Sequence, residues 1–310
     1  MEFFKRVTRV RFMTHRRLSY MASAIVIGGS LIALFVRGPE FGIDFTGGIV
    51  VEAGFSQDAD LERIRKALGA AGLAEAQVQN FGTAADVLVR LPPAEGAAAR
   101  DISDRTTSAL KSVDPAVAIK RTEAIGPQVG KELAEKGALA LVMTLFLILL
   151  YVAIRFRWRF GVGATLAALH DPIAVVGFFV VTGMAFDLSV LAAILAVIGY
   201  SLNDTVVVFD RVRERFLSMR KASPQEVMDA AVNETLSRTI MTSGTTLLTV
   251  IALALLGGEA LRGFSIALIV GIVVGTHSSI YIASAVALDL GASARDFLPP
   301  EKKSEADAMP

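Results

Sequence analysis

Six apolar stretches, each long enough to cross a bilayer as a helix, constrain this chain more than any other feature. A membrane's hydrocarbon core is about 30 Å thick and takes about 20 helical residues to span. Leu18 to Val36, Gly137 to Ile154, Phe160 to Phe186, Leu188 to Phe209, Thr239 to Gly258 and Gly263 to Leu288 meet that length. Three of them hold no Asp, Glu, Lys, Arg or His. At 53% hydrophobic over 310 residues, the chain exceeds what one water-soluble core needs, and lipid is part of its solvent. Basic residues precede the first stretch, as in a signal peptide. Its apolar run is longer than the roughly 7 to 15 residues of a secretory core, and no A-x-A-like cleavage site follows Val36, so it reads as a retained helix.

Lys and Arg collect in cytoplasmic loops next to membrane spans. Lys5, Arg6, Arg9, Arg11, Arg16 and Arg17 precede the first span, and Arg155, Arg157 and Arg159 follow the second. Arg211, Arg213, Arg215, Arg220 and Lys221 lie in the segment 210–238 after the fourth, read as a cytoplasmic loop. The turns around Gly183 to Asp187 and Gly257 to Arg262 hold one basic residue between them. The expectation is a basic cytoplasmic N-terminus over 1–17, a cytoplasmic tail over 291–310, and residues 37–134 outside, in the periplasm. The net charge of +1 leaves no basic footprint for nucleic acid, and the absence of Cys excludes disulfides, thiolate catalysis and Cys-bound metal. Three His with only Asp nearby make no metal site, and nothing implies a cofactor.

Residues 37–134 have ordinary soluble composition. Ile49 to Phe55 reads as a strand, and Asp60 to Ala71 as a helix with Leu61, Ile64 and Leu68 on one face. Val78 to Phe81 and Asp86 to Leu91 read as strands joined by a Gly-Thr turn, Ala97 to Val113 as a second helix, and Ala116 to Glu123 as a last strand. That order, βαββαβ, is the ferredoxin-like α+β pattern, which argues for fold and not for role.

Gly126-Pro-Gln-Val-Gly130-Lys131-Glu132 lacks the spacing and the Ser or Thr of a phosphate-binding loop, and reads as a bend into the second span, so nothing points to ATP. Phe41-Gly42-Ile-Asp44-Phe45-Thr-Gly47-Gly48 reads as a tight turn into the first strand, with Asp44 capping it. Ionisable residues inside spans carry the strongest chemical signal, since a central carboxylate costs about 2.5 to 3.5 kcal/mol to insert. Asp204 is the one charge within the fourth span, flanked by Ser201, Asn203 and Thr205. Arg238 opens the fifth, with Thr242, Thr245 and Thr249 on the same helical face. Together they suggest a bundle interior containing an Asp204 to Arg238 pair, used either for proton relay or as a static ion pair. His170-Asp171 lies roughly 16 Å into the third span. Adjacent residues point to different sides of a helix, so no direct pair is expected between them. Asp171 stands as a relay or gate candidate, and Asp171-Pro172 as a kink candidate. His277, beside Thr276, Ser278 and Ser279, reads as bonding a neighbouring helix, and Gly271 with Gly275 as a close-packing G-x-x-x-G.

Five segments together resemble the protein-export membrane subunits of the SecF family, within the resistance-nodulation-division (RND) superfamily. They are Gly42-Ile-Asp44-Phe45-Thr-Gly47-Gly48, Gly126-Pro-Gln-Val-Gly130, Gly199-Tyr-Ser-Leu-Asn203-Asp204, Phe209-Asp210-Arg211-Val-Arg213-Glu214, and Asn233-Glu-Thr-Leu-Ser-Arg238-Thr-Ile-Met-Thr242-Ser-Gly-Thr245-Thr246. Several also occur in the companion SecD family, but one outer domain of about one hundred residues resembles SecF. The resemblance implies an α-helical membrane protein with a six-helix RND-like half-bundle, a SecD partner with a similar bundle, and association with SecYEG and YajC. It further implies use of the proton-motive force to help export unfolded preproteins, in a bacterial inner membrane. By motif, Asp204 and Arg238 match the family's proton-pathway Asp and Arg, while Asp44 matches a residue without a catalytic role. A small proton-driven exporter, or an assembly factor that uses the two charges only as glue, are the competing readings. No enzyme activity is expected.

Overall fold

The computed structural model describes residues 8–93 and 99–297; Lys5, Arg6, residues 97 and 98 of the expected second helix, and most of the expected C-terminal tail lie outside them. Helix α1 (Arg16–Val36) leads through the one-turn helix α2 (Ile43–Thr46) into an α+β domain. That domain comprises β1 (Gly48–Gly54), α3 (Leu61–Ala70), β2 (Gln77–Phe81), β3 (Thr83–Leu91), α4 (Ala99–Val113) and β4 (Ala118–Ile125). Five long elements follow: α5 (Pro127–Arg155), α6 (Trp158–Thr182), α7 (Leu188–Ser218), α8 (Pro224–Leu256), and α9 (Arg262–His277), which continues through a π-helical turn Ser278–Ala283 into α10 (Ser284–Asp289).

The sheet runs β2-β3-β1-β4 with every neighbouring pair antiparallel, the ferredoxin-like arrangement. Strand alternation decides its buried face: Ile49, Val51 and Ala53 on β1 and Val87, Val89 and Leu91 on β3 point to one side. There they meet Ile64 and Leu68 of α3 with Ile102 and Leu110 of α4. Asp60 caps α3 by accepting from the N–H groups of Glu62 and Arg63. The other face carries Glu52, Arg90, Arg121 and Glu123 and fronts a cavity of about 450 Å³ shared with Asp187 and Arg262.

Six helices are long and apolar enough to cross a membrane. Small residues let the inner three approach closely. A methyl added at Gly271 would lie 2.2 Å from Val197, so α9 meets α7 there, and one at Gly163 would lie 2.4 Å from the Ala283 carbonyl oxygen, so α6 presses on the end of the π-helical turn. Around this interior α1, α5 and α8 keep large apolar side chains exposed, Phe35 and Leu256 more than four-fifths so. Against lipid that is the favourable state.

Three sequence expectations are corrected. Residues 210–238 are not a loop: α7 runs to Ser218 and α8 starts at Pro224, capped by a Ser223 and Glu226 box. Arg215 and Arg211 both pair with Glu234 across the two helices, and the N-terminal segment docks there, Asn233 bonding Thr8 and the backbone of Val10. These bonds give the polar segment partners that a solvated loop would lack. Gly126 to Glu132 is not a bend, because Gly126 caps α5 and Pro127, with its φ preset for helix, opens it. Asp44 does not cap its own turn. Its Oδ2 accepts from Leu188 N–H at 2.9 Å, so it caps the start of α7 instead.

The glycine motifs explain one another. Gly47 and Gly48 have φ of +70° and +124°, open to glycine alone at little cost, and a methyl on Gly130 would lie 2.7 Å from the Gly47 nitrogen. The turn before β1 is therefore seated directly on the first turn of α5. Phe45 stacks on Phe186, with centroids 6.0 Å apart, and Gly42 N–H donates to the Phe186 carbonyl at 2.8 Å. One joint thus ties α2, β1, α5 and the start of α7 together.

Candidate functional site

Asp204 projects from the middle of α7 into a set of hydroxyls. Thr239 Oγ1 of α8 donates to its Oδ1 at 2.7 Å, and Ser279 of the π-helical turn donates to its Oδ2. Both donors give the carboxyl group polar partners that the interior of a span otherwise lacks. Beyond them Tyr200 OH donates to Ser243 Oγ at 3.2 Å, and Ser243 lies 2.8 Å from Thr276 Oγ1, so α7, α8 and α9 are joined by hydroxyl contacts. Asp204 opens on a cavity of about 230 Å³ lined also by Tyr200, Asn203, Val207, Arg238, Thr242, Thr245 and Thr246.

The expected Asp204 to Arg238 ion pair is absent: among the described residues no acidic group lies within 4.0 Å of Arg238. Both residues line one cavity without meeting. The reason is helical phase. On α8 the inward face runs Thr235, Thr239, Ser243 and Val250, all buried, whereas Arg238, Thr242, Thr245 and Thr249 are exposed. The threonines spend their hydroxyls on carbonyls of their own helix one turn back, Thr242 on Arg238 and Thr245 on Met241. The polar stripe is real, but it lies outside this bundle.

His170 and Asp171 pair after all, His170 Nδ1 lying 2.9 Å from Asp171 Oδ1. Side chains one residue apart diverge at Cβ, yet a short carboxylate and an imidazole reach back across that angle. Asp171 Oδ2 accepts from Ser278 Oγ at 2.9 Å, and His170 Nε2 lies 3.1 Å from Ser23 Oγ of α1. Helix α6 continues through Pro172. His277 Nε2 lies 2.9 Å from Ser19 Oγ, the interhelical bond expected of it. Gly275 packs as expected, a methyl there reaching 3.1 Å from Ser201 Cβ and 3.3 Å from Asp171 Oδ2. Sequence reasoning missed Thr239, Ser279, Ser243 and Ser23 as partners. The available signal was the run of hydroxyls around His277 and the Thr235, Thr239, Ser243 spacing. Among the described residues no cluster of His, Cys, Asp or Glu suits a metal ion.

Fold and site define a polytopic membrane protein: a six-span half-bundle, with a hydroxyl-bound carboxylate inside it and a ferredoxin-like domain inserted after the first span. Residues 105–293 match the family described as protein export membrane protein SecD/SecF, C-terminal, and residues 32–59 match the SecD/SecF GG motif. Protein translocase subunit SecF of Vibrio alginolyticus is 46% identical over 305 residues, covering 97% of both chains. The subunit of the same name from Pseudomonas aeruginosa is 44% identical, covering 98% of this chain and 99% of that one. A crystal structure of SecDF from Thermus, described as a translocon-associated membrane protein, superposes with a TM-score of 0.82 at 36% identity over 91% of this chain. This chain spans 39% of that SecDF chain. The chain belongs to the SecF family of protein translocase subunits.

Proposed function

We propose that this chain works with a SecD partner to turn the proton-motive force into export of unfolded preproteins through SecYEG, with YajC as a further associate. It does so in a bacterial inner membrane, among its lipids, with both termini cytoplasmic and residues 37–134 periplasmic. Asp204 carries the proton. It takes one up when Arg238 is distant and gives it up when the cation approaches, because a dry setting favours the neutral acid and a nearby cation the carboxylate. The observation that carries this reading is that Asp204 and Arg238 face one cavity without being paired, so the site has a state left to move to. The cavity is also lined by Asn203, Thr242 and Thr245, and it borders the exposed stripe of α8. A second bundle covering that stripe closes the site. The family-motif residues Gly42, Asp44, Phe45, Gly47, Gly48, Gly126 and Gly130 serve as the joint that carries bundle motion to the α+β domain. The test is export into inverted membrane vesicles with and without an imposed gradient. Asp204→Asn should insert and bind SecD yet lose the gradient's stimulation; full stimulation would leave an assembly factor as the answer.

A further inference from the structure

The proton-carrying reading of Asp204 leaves a second buried acid without a task. Asp171 is 0% exposed, and among the described residues its one basic neighbour within 4.0 Å is His170, itself 8% exposed. A carboxylate so enclosed costs several kcal/mol unless it is paired and hydrogen-bonded, which is a high charge for packing alone. Its two oxygens are divided between elements, Oδ1 facing His170 Nδ1 and Oδ2 receiving Ser278 Oγ–H. Ser278 and Ser279 are consecutive on the π-helical turn, both 0% exposed, and Ser279 donates to Asp204. Such turns are rare and tend to mark functional positions. Here the turn presents two neighbouring hydroxyls to two different carboxylates on two different helices.

We propose that His170 and Asp171 form a second intramembrane proton-binding centre, coupled to Asp204 through the π-helical turn that carries Ser278 and Ser279. The coupling rests on the proton-carrying reading of Asp204; the centre itself does not. The tautomer follows from the partners: only a carboxylate faces Nδ1, so Nδ1–H donates to Asp171 and the Nε2 lone pair accepts the Ser23 hydroxyl. A proton arriving at Nε2 forms an N–H bond and makes the ring an imidazolium, and Ser23 turns to accept instead of donate. The pair goes from a charge of minus one to zero, the state a dry interior favours, and reverses when Nε2 gives the proton back. Neighbouring helices bring few other titratable groups. His277, at the end of α9, interacts electrostatically with both members, and Asp204 stands on α7 behind the serines. Helix α1 brings Ser19 and Ser23, its Arg16 being held by Asp289 of α10.

The coupling has a stated geometry. Each serine has a second acceptor in its own helix, Ser278 the Gly275 carbonyl at 3.1 Å and Ser279 the Thr276 carbonyl at 3.1 Å. When Asp204 takes up a proton, or when an imidazolium forms beside the Asp171 carboxylate and offsets its charge, the serine on that acid is held less strongly and shifts toward its carbonyl, and the turn settles differently against the other acid. Ser278 Oγ also lies 3.5 Å from Ser201 Oγ, three residues before Asp204 on α7.

The experiment is 15N spectroscopy of histidine side chains in the full chain with SecD, reconstituted in lipid vesicles and titrated over about pH 5 to 9. The chain has three His, so His170→Gln identifies the signal. His170 Nε2 is expected to change protonation within that range. Its midpoint should move by about one pH unit, a tenfold change in proton affinity, in Asp204→Asn. In Ser278→Ala, adding Asp204→Asn should move it far less. A His170 signal that keeps one protonation state throughout overturns the centre, and an undiminished shift in the Ser278→Ala background overturns the path. Should Asp204→Asn not assemble, Ser279→Ala leaves both acids in place and is read the same way. Because the His170 signal is read without any export, the vesicle assay of Asp204→Asn fails or succeeds independently of this one.

Discussion

Replacing Arg238 by Met separates a proton site from a static ion pair, because the two make opposite demands on stability. Were Asp204 held by Arg238, removing the cation would strand a buried charge at about 3 to 5 kcal/mol, and the protein would misassemble. In the structure Asp204 is held by Thr239 and Ser279, both of which survive the substitution, and Arg238 lies on the exposed face of α8. The expected structural cost is below about 1 kcal/mol, as for other exposed positions. Asp204→Asn keeps Thr239 and Ser279 as partners, one hydroxyl turning to accept from the new amide NH2, and should cost no more than about 1 kcal/mol per hydrogen bond. Neither figure unfolds a membrane bundle. The functional loss is larger: a proton crossing 100 mV supplies about 2.3 kcal/mol, which corresponds to about 50-fold in a rate. In vesicles the ratio of export with and without the gradient should fall toward one in both variants, while thermal melting and SecD binding change little. Melting losses of about 3 to 5 kcal/mol in each single variant, with recovery in Asp204→Asn plus Arg238→Met, would refute the reasoning.

Further predictions follow from packing and charge. Gly130→Ala sets a methyl 2.7 Å from the backbone nitrogen of Gly47, which has no side chain to move aside, and should cost about 1 to 3 kcal/mol in thermal melting; Gly69→Ala, with open space around it, should not. Thr245→Trp, on the exposed stripe of α8, should leave the chain folded but reduce copurification with SecD, whereas Leu255→Trp at the apolar end of that helix should be tolerated. In the α+β domain, the hydrogen bond from Lys120 holds the Asp86 carboxyl below its ordinary value of 3.8, and the Ser56 N–H does the same for Asp114. A carboxyl held low stabilises the fold above its unfolded value and loses that contribution as pH falls through the folded one. Hydrogen-exchange protection of β1 and β3 should therefore decline below about pH 4, and less so in Asp86→Asn with Asp114→Asn.

The membrane spans and the βαββαβ order were legible because their signals are long and periodic: an unbroken apolar run admits few alternatives, and Ile49, Val51 and Ala53 alternate as a half-buried strand must. Which side of α8 faces inward was not legible. Arg238, Thr242 and Thr245 make a correct stripe, but Thr235, Thr239 and Ser243 make another, and only the packed neighbours decide which is interior. His170 with Asp171 misled because Cβ direction is a poor guide for side chains able to reach back. The segment 210–238 misled because a helix leaving the membrane becomes polar and so resembles a loop. The π-helical turn has no compositional signature, and with it went Ser278 and Ser279, the residues that connect the two acids.

One helix connects the site to the α+β domain. Asp204 and Leu188 lie sixteen residues apart on α7, roughly 24 Å of continuous helix. At the Asp204 end the helix is held by the hydroxyls of Thr239 and Ser279. At the other end Leu188 N–H is held by Asp44, beside the stacked Phe45 and Phe186 and the turn of Gly47 and Gly48 seated on α5. A helix transmits displacement along its axis because its backbone hydrogen bonds leave little slack, and the joint has close backbone contacts on which a small shift acts. On the proton-carrying reading proposed above, a change of charge at Asp204 then has a route to β1 through packed backbone that needs no loop to stiffen. On the proposed reading the glycines serve that route, since they let the turn sit against α5 at the joint that the start of α7 reaches.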